Sequence, residues 1–87
     1  MTLSFPNQSR SYDATRRAVR FWGHDDAMEA SFFVSGEALT RMKPDIQSDE
    51  AGFLSAFDLN RKLIYAAAAK IYERCRKGSY DLVIADF

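Results

Sequence analysis

Three places in this 87-residue sequence hold side chains that could do chemistry. The first is the stretch "AVRFWGHDDAMEASFFV", Ala18 to Val34, whose polar centre sets the chain's only histidine, His24, beside Asp25 and Asp26. An imidazole with two carboxylates can ligate a divalent metal, and a carboxylate can tune an imidazole for acid–base work. Three consecutive residues in a turn rarely converge on one ion, and no second histidine or cysteine supplies a matching ligand. Gly23, Asp25 and Asp26 are instead the residue types that make tight turns. The tip reads as a hairpin turn with solvated side chains. A small metal-binding protein or enzyme built around His24 stands as an alternative.

The second place is Cys75, the only cysteine. A thiolate at a helix C-terminus is opposed by the dipole, while Arg74 and Arg76 favour it. Its place on an apolar stripe makes it a buried structural thiol, the usual role of a free cysteine.

The third is the arginine group Arg10, Arg16, Arg17 and Arg20, with Tyr12 and Trp22 close by. Cations interleaved with aromatics can contact phosphates and stack bases. A neutral total charge, an adjoining acidic segment and the lack of any RNA- or DNA-binding motif weigh against that use. Ion pairing with the acidic segment or with a partner subunit is preferred. Tyr80, Asp81 and Asp86 suggest an acid–base set, but strand alternation sends Asp81 and Asp86 to opposite faces. The sequence also has no glycine-rich phosphate loop, HExxH, paired cysteines or nucleophile elbow. No catalytic, cofactor-binding or metal-ligating residue is assigned, no cofactor is expected, and the expected protein is not an enzyme.

What must position these groups is a small fold. A chain of this length makes one domain, residues 1–87, with a thin core. The composition, 47% hydrophobic and 28% charged, is that of a folded globular protein. An unpaired cysteine suits a reducing compartment. "MTLSFPNQSR" lacks the basic start and apolar run of a secretory leader, and "LIYAAAAKIY" is too short and too interrupted to span a bilayer. A cytoplasmic protein with no membrane contact is expected. Charge is segregated: residues 1–20 carry +3, 21–60 carry −6 and 61–87 carry +3. That pattern suits internal pairing or association between copies.

The expected class is α+β, with a small antiparallel sheet of three to four strands. Its β-hairpin covers 18–34. Val19 and Phe21 face one way in the first arm, and Met28, Ala30, Phe32 and Val34 share that side in the second. A tight turn at Gly23–Asp26 would set Phe21 near Met28 and Arg20 near Glu29. A C-terminal strand at 80–86, apolar on both faces, reads as interior or covered by a second subunit. Residues 2–5, ended by Pro6, are the fourth strand, and "NQSRSYDATRR" reads as loop. Ser35 caps a short helix at 36–43 that Pro44 stops. Ser48 or Asp49 caps a long helix, 49–77, ending in Arg74, Arg76, Lys77 and Gly78. Its stripe is Phe53, Phe57, Ile64, Ala67, Ala68, Ile71 and Cys75. Unbroken, it would extend about 43 Å at 1.5 Å per residue, so it either protrudes or breaks near Leu59–Asn60.

Trp22 and Phe33 fall on the face opposite this core. Clustered aromatics there, with Arg20, are the candidate interface, and a two-fold homodimer is the simplest arrangement. Arg10, Arg16, Arg17 and Arg20 are the candidate phosphate contacts.

Taken together, "SYDATRRAVRFWGHDDAMEASFFVSGEAL", "AFDLNRKLIYAAAAKIYERCRKGSYDL" and the closing "ADF" resemble a small bacterial family known as domain of unknown function 1488. The resemblance covers residues 3–87. It implies a compact α+β fold in a bacterial cytoplasmic protein, with no catalytic or binding residue to carry over. The functional expectation is a non-enzymatic binding or regulatory module that self-associates. The alternatives are a nucleic-acid accessory protein using the Arg10–Arg20 segment, or the His24-centred metal protein.

Overall fold

Apolar residues alternating along two neighbouring segments set the core face of a sheet, and the rest of the chain folds over that face. The computed structural model describes residues 3–6, 9–25, 28–74 and 79–87. Among them the order is β1 (Arg10–Asp13), β2 (Ala18–Asp25), β3 (Met28–Ser35), α1 (Gly36–Met42), α2 (Glu50–Leu59), α3 (Arg61–Arg74) and β4 (Ser79–Leu82), closed by a 3-10 turn at Ile84–Asp86. The strands form one open sheet in the order β1-β2-β3-β4. It is mixed rather than all antiparallel, because β4 runs parallel to β3. Parallel neighbours need a crossover, and the three helices supply it.

Val19 and Phe21, Phe32 and Val34, and Leu82 are fully buried on the helix side, with Ala30 and Tyr80 nearly so. The register sets Phe21 beside Phe32 and Phe32 beside Tyr80. Their rings stack at 5.3 and 4.9 Å, making an aromatic row across three strands. Leu39, Phe53, Phe57, Ile64, Ala68 and Tyr72 close the core from the helices.

The hairpin bends later than its turn-forming residues imply. Phe21 pairs with Phe32 and Arg20 with Phe33, whereas His24 faces Glu29 and Asp25 faces Met28. The expected pairing is therefore corrected. The displacement is an even number of residues, so face parity survives. Asp26 and Ala27, between the two strands, lie outside the described residues. Gly23 is a strand residue, and no described glycine has positive φ. It makes room: a Cβ there would sit 2.9 Å from Phe5 and 3.0 Å from Leu3.

That space receives the N-terminal segment. The strand expected at 2–5 reduces to one antiparallel bridge, Ser4 with His24, made by two N–H···O bonds of 2.8 Å. Phe5 then stacks on Tyr65 at 4.0 Å. Residues 10–13, expected as loop, are the β1 strand. Tyr12 stacks on Phe53 at 5.7 Å, and the Asp13 carboxylate accepts the Thr15 and Arg16 N–H groups to start the return turn.

Ser35 caps α1 by accepting the Ala38 N–H at 3.1 Å. Asp49 caps α2 through the Gly52 N–H at 2.8 Å. The single long helix is corrected to two. The molecule is 37 Å in its longest dimension, less than an unbroken rod would need. At the break, the Asn60 side chain donates to the Ala56 carbonyl at 3.0 Å, while its own carbonyl accepts the Ile64 N–H that starts α3. Residues 75–78, including Cys75, Arg76, Lys77 and Gly78, lie outside the described residues. The C-terminal strand ends at Leu82, and β4 is an edge strand, not an interior one. Beyond it the Asp86 carboxylate accepts the Val83 N–H at 2.8 Å and winds the chain into the 3-10 turn.

Gly52 offers a prediction of unusual sign. Glycine to alanine inside a helix ordinarily stabilises by about 1 kcal/mol. Here the new Cβ would run into the backbone carbonyl oxygen of Gln47. Gly52→Ala is expected to lower the urea midpoint, corresponding to a stability loss of about 1–3 kcal/mol for an overpacked site. A raised midpoint would mean that the 47–49 approach to α2 moves aside freely.

Candidate functional site

The even-numbered residues of β2 point away from the helices. Arg20, Trp22 and His24, with Glu29, Ser31 and Phe33 of β3 and Asp81 of β4, make up the sheet's second face. The three proposed interface residues are brought together there. Arg20 donates to the Ser31 hydroxyl at 3.1 Å and lies over both rings, 5.0 Å from Trp22 and 5.5 Å from Phe33. Arg16, from the β1–β2 turn, covers Phe33 more closely at 4.2 Å. It is held by Asp81 at 3.2 Å and Asp13 at 4.0 Å. Phe33 is thus only 7% exposed, and Trp22 is half-buried. Leu3 and Phe5 pack against the core on the helix side. Cation–π contacts of this kind contribute about 0.5–2 kcal/mol each.

One atom on this face stands out. Arg20 Nε is buried and, among the described residues, has no hydrogen-bond partner. A desolvated donor left unsatisfied costs about 1–3 kcal/mol.

His24 sits at the far end of the face, its Nε2 3.7 Å from a Glu29 carboxylate oxygen across the strand pair. Asp25 turns to the helix side and accepts the Tyr72 hydroxyl at 2.9 Å. The hairpin therefore parts His24 from Asp25, and Asp26 lies outside the described residues. Among the described residues, no three histidine, cysteine or carboxylate side chains gather as a metal site.

The four arginines are not gathered on one surface. Arg10 is paired with Phe21 in register, on the helix side, whereas Arg20 lies on the other face. The Arg10 guanidinium grips Asp58 through two bonds of 3.1 and 2.9 Å, and Arg61 adds a third at 2.6 Å. Arg10's hydrogen bonds, seconded by Arg61, hold the Asp58 carboxyl below its ordinary value of 3.8 despite partial burial. A depressed carboxylate stabilises the fold above its unfolded pKa, and that contribution is lost as pH falls through the folded value. Wild type is expected to exceed Asp58→Asn by about 1 kcal/mol at neutral pH, the upper range for an exposed pair. The gap should close below pH 3.8 in urea titrations. A gap that does not change as the pH is lowered across the acid range would exclude the ionic origin.

Arg17 has a backbone φ of 51°, the left-handed region that non-glycine residues seldom enter. Its carbonyl accepts the Gly36 N–H at 2.9 Å, tying the β1–β2 turn to the start of α1. Beside this tie lies a cleft of about 550 Å³ bounded by the turn, α1, the approach to α2 and the C-terminal turn. Sequence reasoning misses this cleft, because its walls come from four separated segments and no local spacing joins them.

A mixed four-stranded sheet with helices on one face and a polar-aromatic second face defines an α+β protein of open-sheet type. The family model described as "Protein of unknown function (DUF1488)" matches residues 3–84, and the chain belongs to that family. A crystal structure of a protein of unknown function from the DUF1488 family, from Shewanella loihica PV-4, superimposes with a TM-score of 0.81. It is 20% identical over 94% of each chain, a likeness of fold. No curated protein matches. Among the described residues, no helix is long and apolar enough to cross a membrane.

Proposed function

We propose that this chain is a non-enzymatic binding module that pairs with a second copy of itself through the helix-free face of its sheet. The observation that carries the reading is Arg20, spread over Trp22 and Phe33 on the face opposite the helices. The face is also complementary to itself in charge. The Glu29 side chain is 57% exposed at the opposite end from Arg16 and, among the described residues, is met by His24 at 3.7 Å. In a two-fold arrangement, Arg20 of one copy meets Glu29 of the other, and the reverse contact follows by symmetry. The polar groups of this face otherwise engage one another, Arg16 with Asp81 and Arg20 with Ser31, which supports binding rather than catalysis.

Strands of this length at the usual spacings present on the order of 500 Å² per copy. The resulting interface, about 1,000 Å² in all, falls at the low end of specific contacts, so association is weak and reversible. Sedimentation from micromolar to millimolar concentration is expected to record a monomer–dimer equilibrium that Trp22→Ala weakens. A strict monomer throughout that range would end the reading. Single-stranded RNA binding at low salt, lost in the same variant, would transfer the face to a nucleic-acid partner.

A further inference from the structure

From the cleft beside Arg17 we infer that this protein binds a free α-amino acid with an apolar side chain. The argument is independent of the sheet face. Two opposite charges border the cleft, Arg17 on the β1–β2 turn and Glu37 in the first turn of α1. Neither forms an ion pair or side-chain hydrogen bond among the described residues, although every other arginine of the turn region does. The bond from Gly36 N–H to the Arg17 carbonyl holds the two positions side by side. Between them the cleft is lined by the apolar Phe53 and Ile84. Thr40, also lining it, donates its hydroxyl proton to the Gly36 carbonyl at 2.9 Å and keeps its oxygen lone pairs as acceptors.

A carboxylate suits the Arg17 guanidinium, which pairs with such groups in a fork. An ammonium suits Glu37 and the Thr40 oxygen. A branched hydrocarbon side chain suits the Phe53–Ile84 wall. The volume lies within the usual range for small-molecule sites, about 300–1,000 Å³. An anion alone would leave Glu37 opposed, and a cation alone would leave Arg17 opposed. The left-handed backbone of Arg17 is consistent with a strained residue kept for its position, since such conformations persist where the surroundings enforce them.

The test is an amide NMR titration of the intact chain with leucine, isocaproate and isoamylamine. Leucine is expected to shift the Gly36, Glu37 and Thr40 signals saturably, and each half-ligand to bind at least about tenfold more weakly. Arg17→Gln should weaken leucine by about tenfold or more. Glu37→Gln should weaken leucine while strengthening isocaproate, a reversal that general loss of structure cannot produce. If Arg17→Gln disturbs the turn, the Glu37→Gln comparison decides alone. No saturable shift up to the solubility of leucine, shifts confined elsewhere, or equal binding in wild type and Glu37→Gln would each overturn the inference. Glu37 lies on α1, off the sheet face, so sedimentation of Glu37→Gln tests the proposed pairing separately from the titration.

Discussion

In the proposed dimer, Arg20→Glu is expected to weaken self-association strongly, and adding Glu29→Arg in the same chain is expected to restore it. In an isologous contact each copy supplies both partners, so the single change sets two carboxylates against each other twice. The double change regenerates two opposite-sign pairs. Losing one member of a desolvated charge pair costs about 2–5 kcal/mol, a weakening of about 30-fold or more. Arg20 also shields Trp22 and Phe33 and bonds Ser31 within its own chain, so some loss of monomer stability accompanies the change. Urea midpoints separate that loss from the loss of pairing, since the double variant does not restore the intrachain contacts. Sedimentation of the double variant is decisive. If it stays as monomeric as Arg20→Glu, the two residues do not meet across the interface.

Phe57→Ala is expected to cost about 3–5 kcal/mol, as deletion of a buried aromatic does. Phe57 is fully buried, its ring 5.1 Å from Phe21 and 4.9 Å beneath the Arg61 guanidinium. It joins α2 to the aromatic row, so its loss opens a cavity under the sheet's centre. Stability for domains of this size is about 0.05–0.15 kcal/mol per residue, and the change takes a large part of it. The comparison is Leu59→Ala, two positions along the same helix. Leu59 is 65% exposed, and its truncation is expected to move stability by no more than about 0.5 kcal/mol. Equal urea midpoints for the two variants would contradict the orientation of α2.

Much of this architecture is legible in residue order. Period-two alternation identifies the buried side of β2 and β3, Ser35 announces α1, and Ser48 or Asp49 announces the next helix. The length of the 49–77 rod left protrusion and a break equally open until the structure showed two helices. The register was hidden because Gly23 and Asp25 are good turn residues and an even shift preserves facing. Only the distant Leu3 and Phe5 explain why Gly23 belongs in a strand. β1 escaped notice because Arg10 and Ser11 look polar, yet Tyr12 reaches Phe53 and Arg10 reaches Asp58 through contacts distant in sequence. The direction of β4 is likewise invisible in its own four residues, since a crossover sets it. The candidate interface was readable as Trp22, Phe33 and Arg20 because all three belong to neighbouring strands. Arg10 neighbours the other arginines in sequence, but its register with Phe21 puts it on the opposite side of the sheet from Arg20.

The parallel placement of β4 carries a consequence for assembly. β1, β2 and β3 are joined by short turns and can zip together by local closure, but the last strand has to wait for three helices to dock. Until it arrives, the outer rim of β3 displays unpaired amide and carbonyl groups next to Phe32 and Val34. An unfinished chain then offers a template to foreign strands, and that rim is where aggregation during refolding is expected to start.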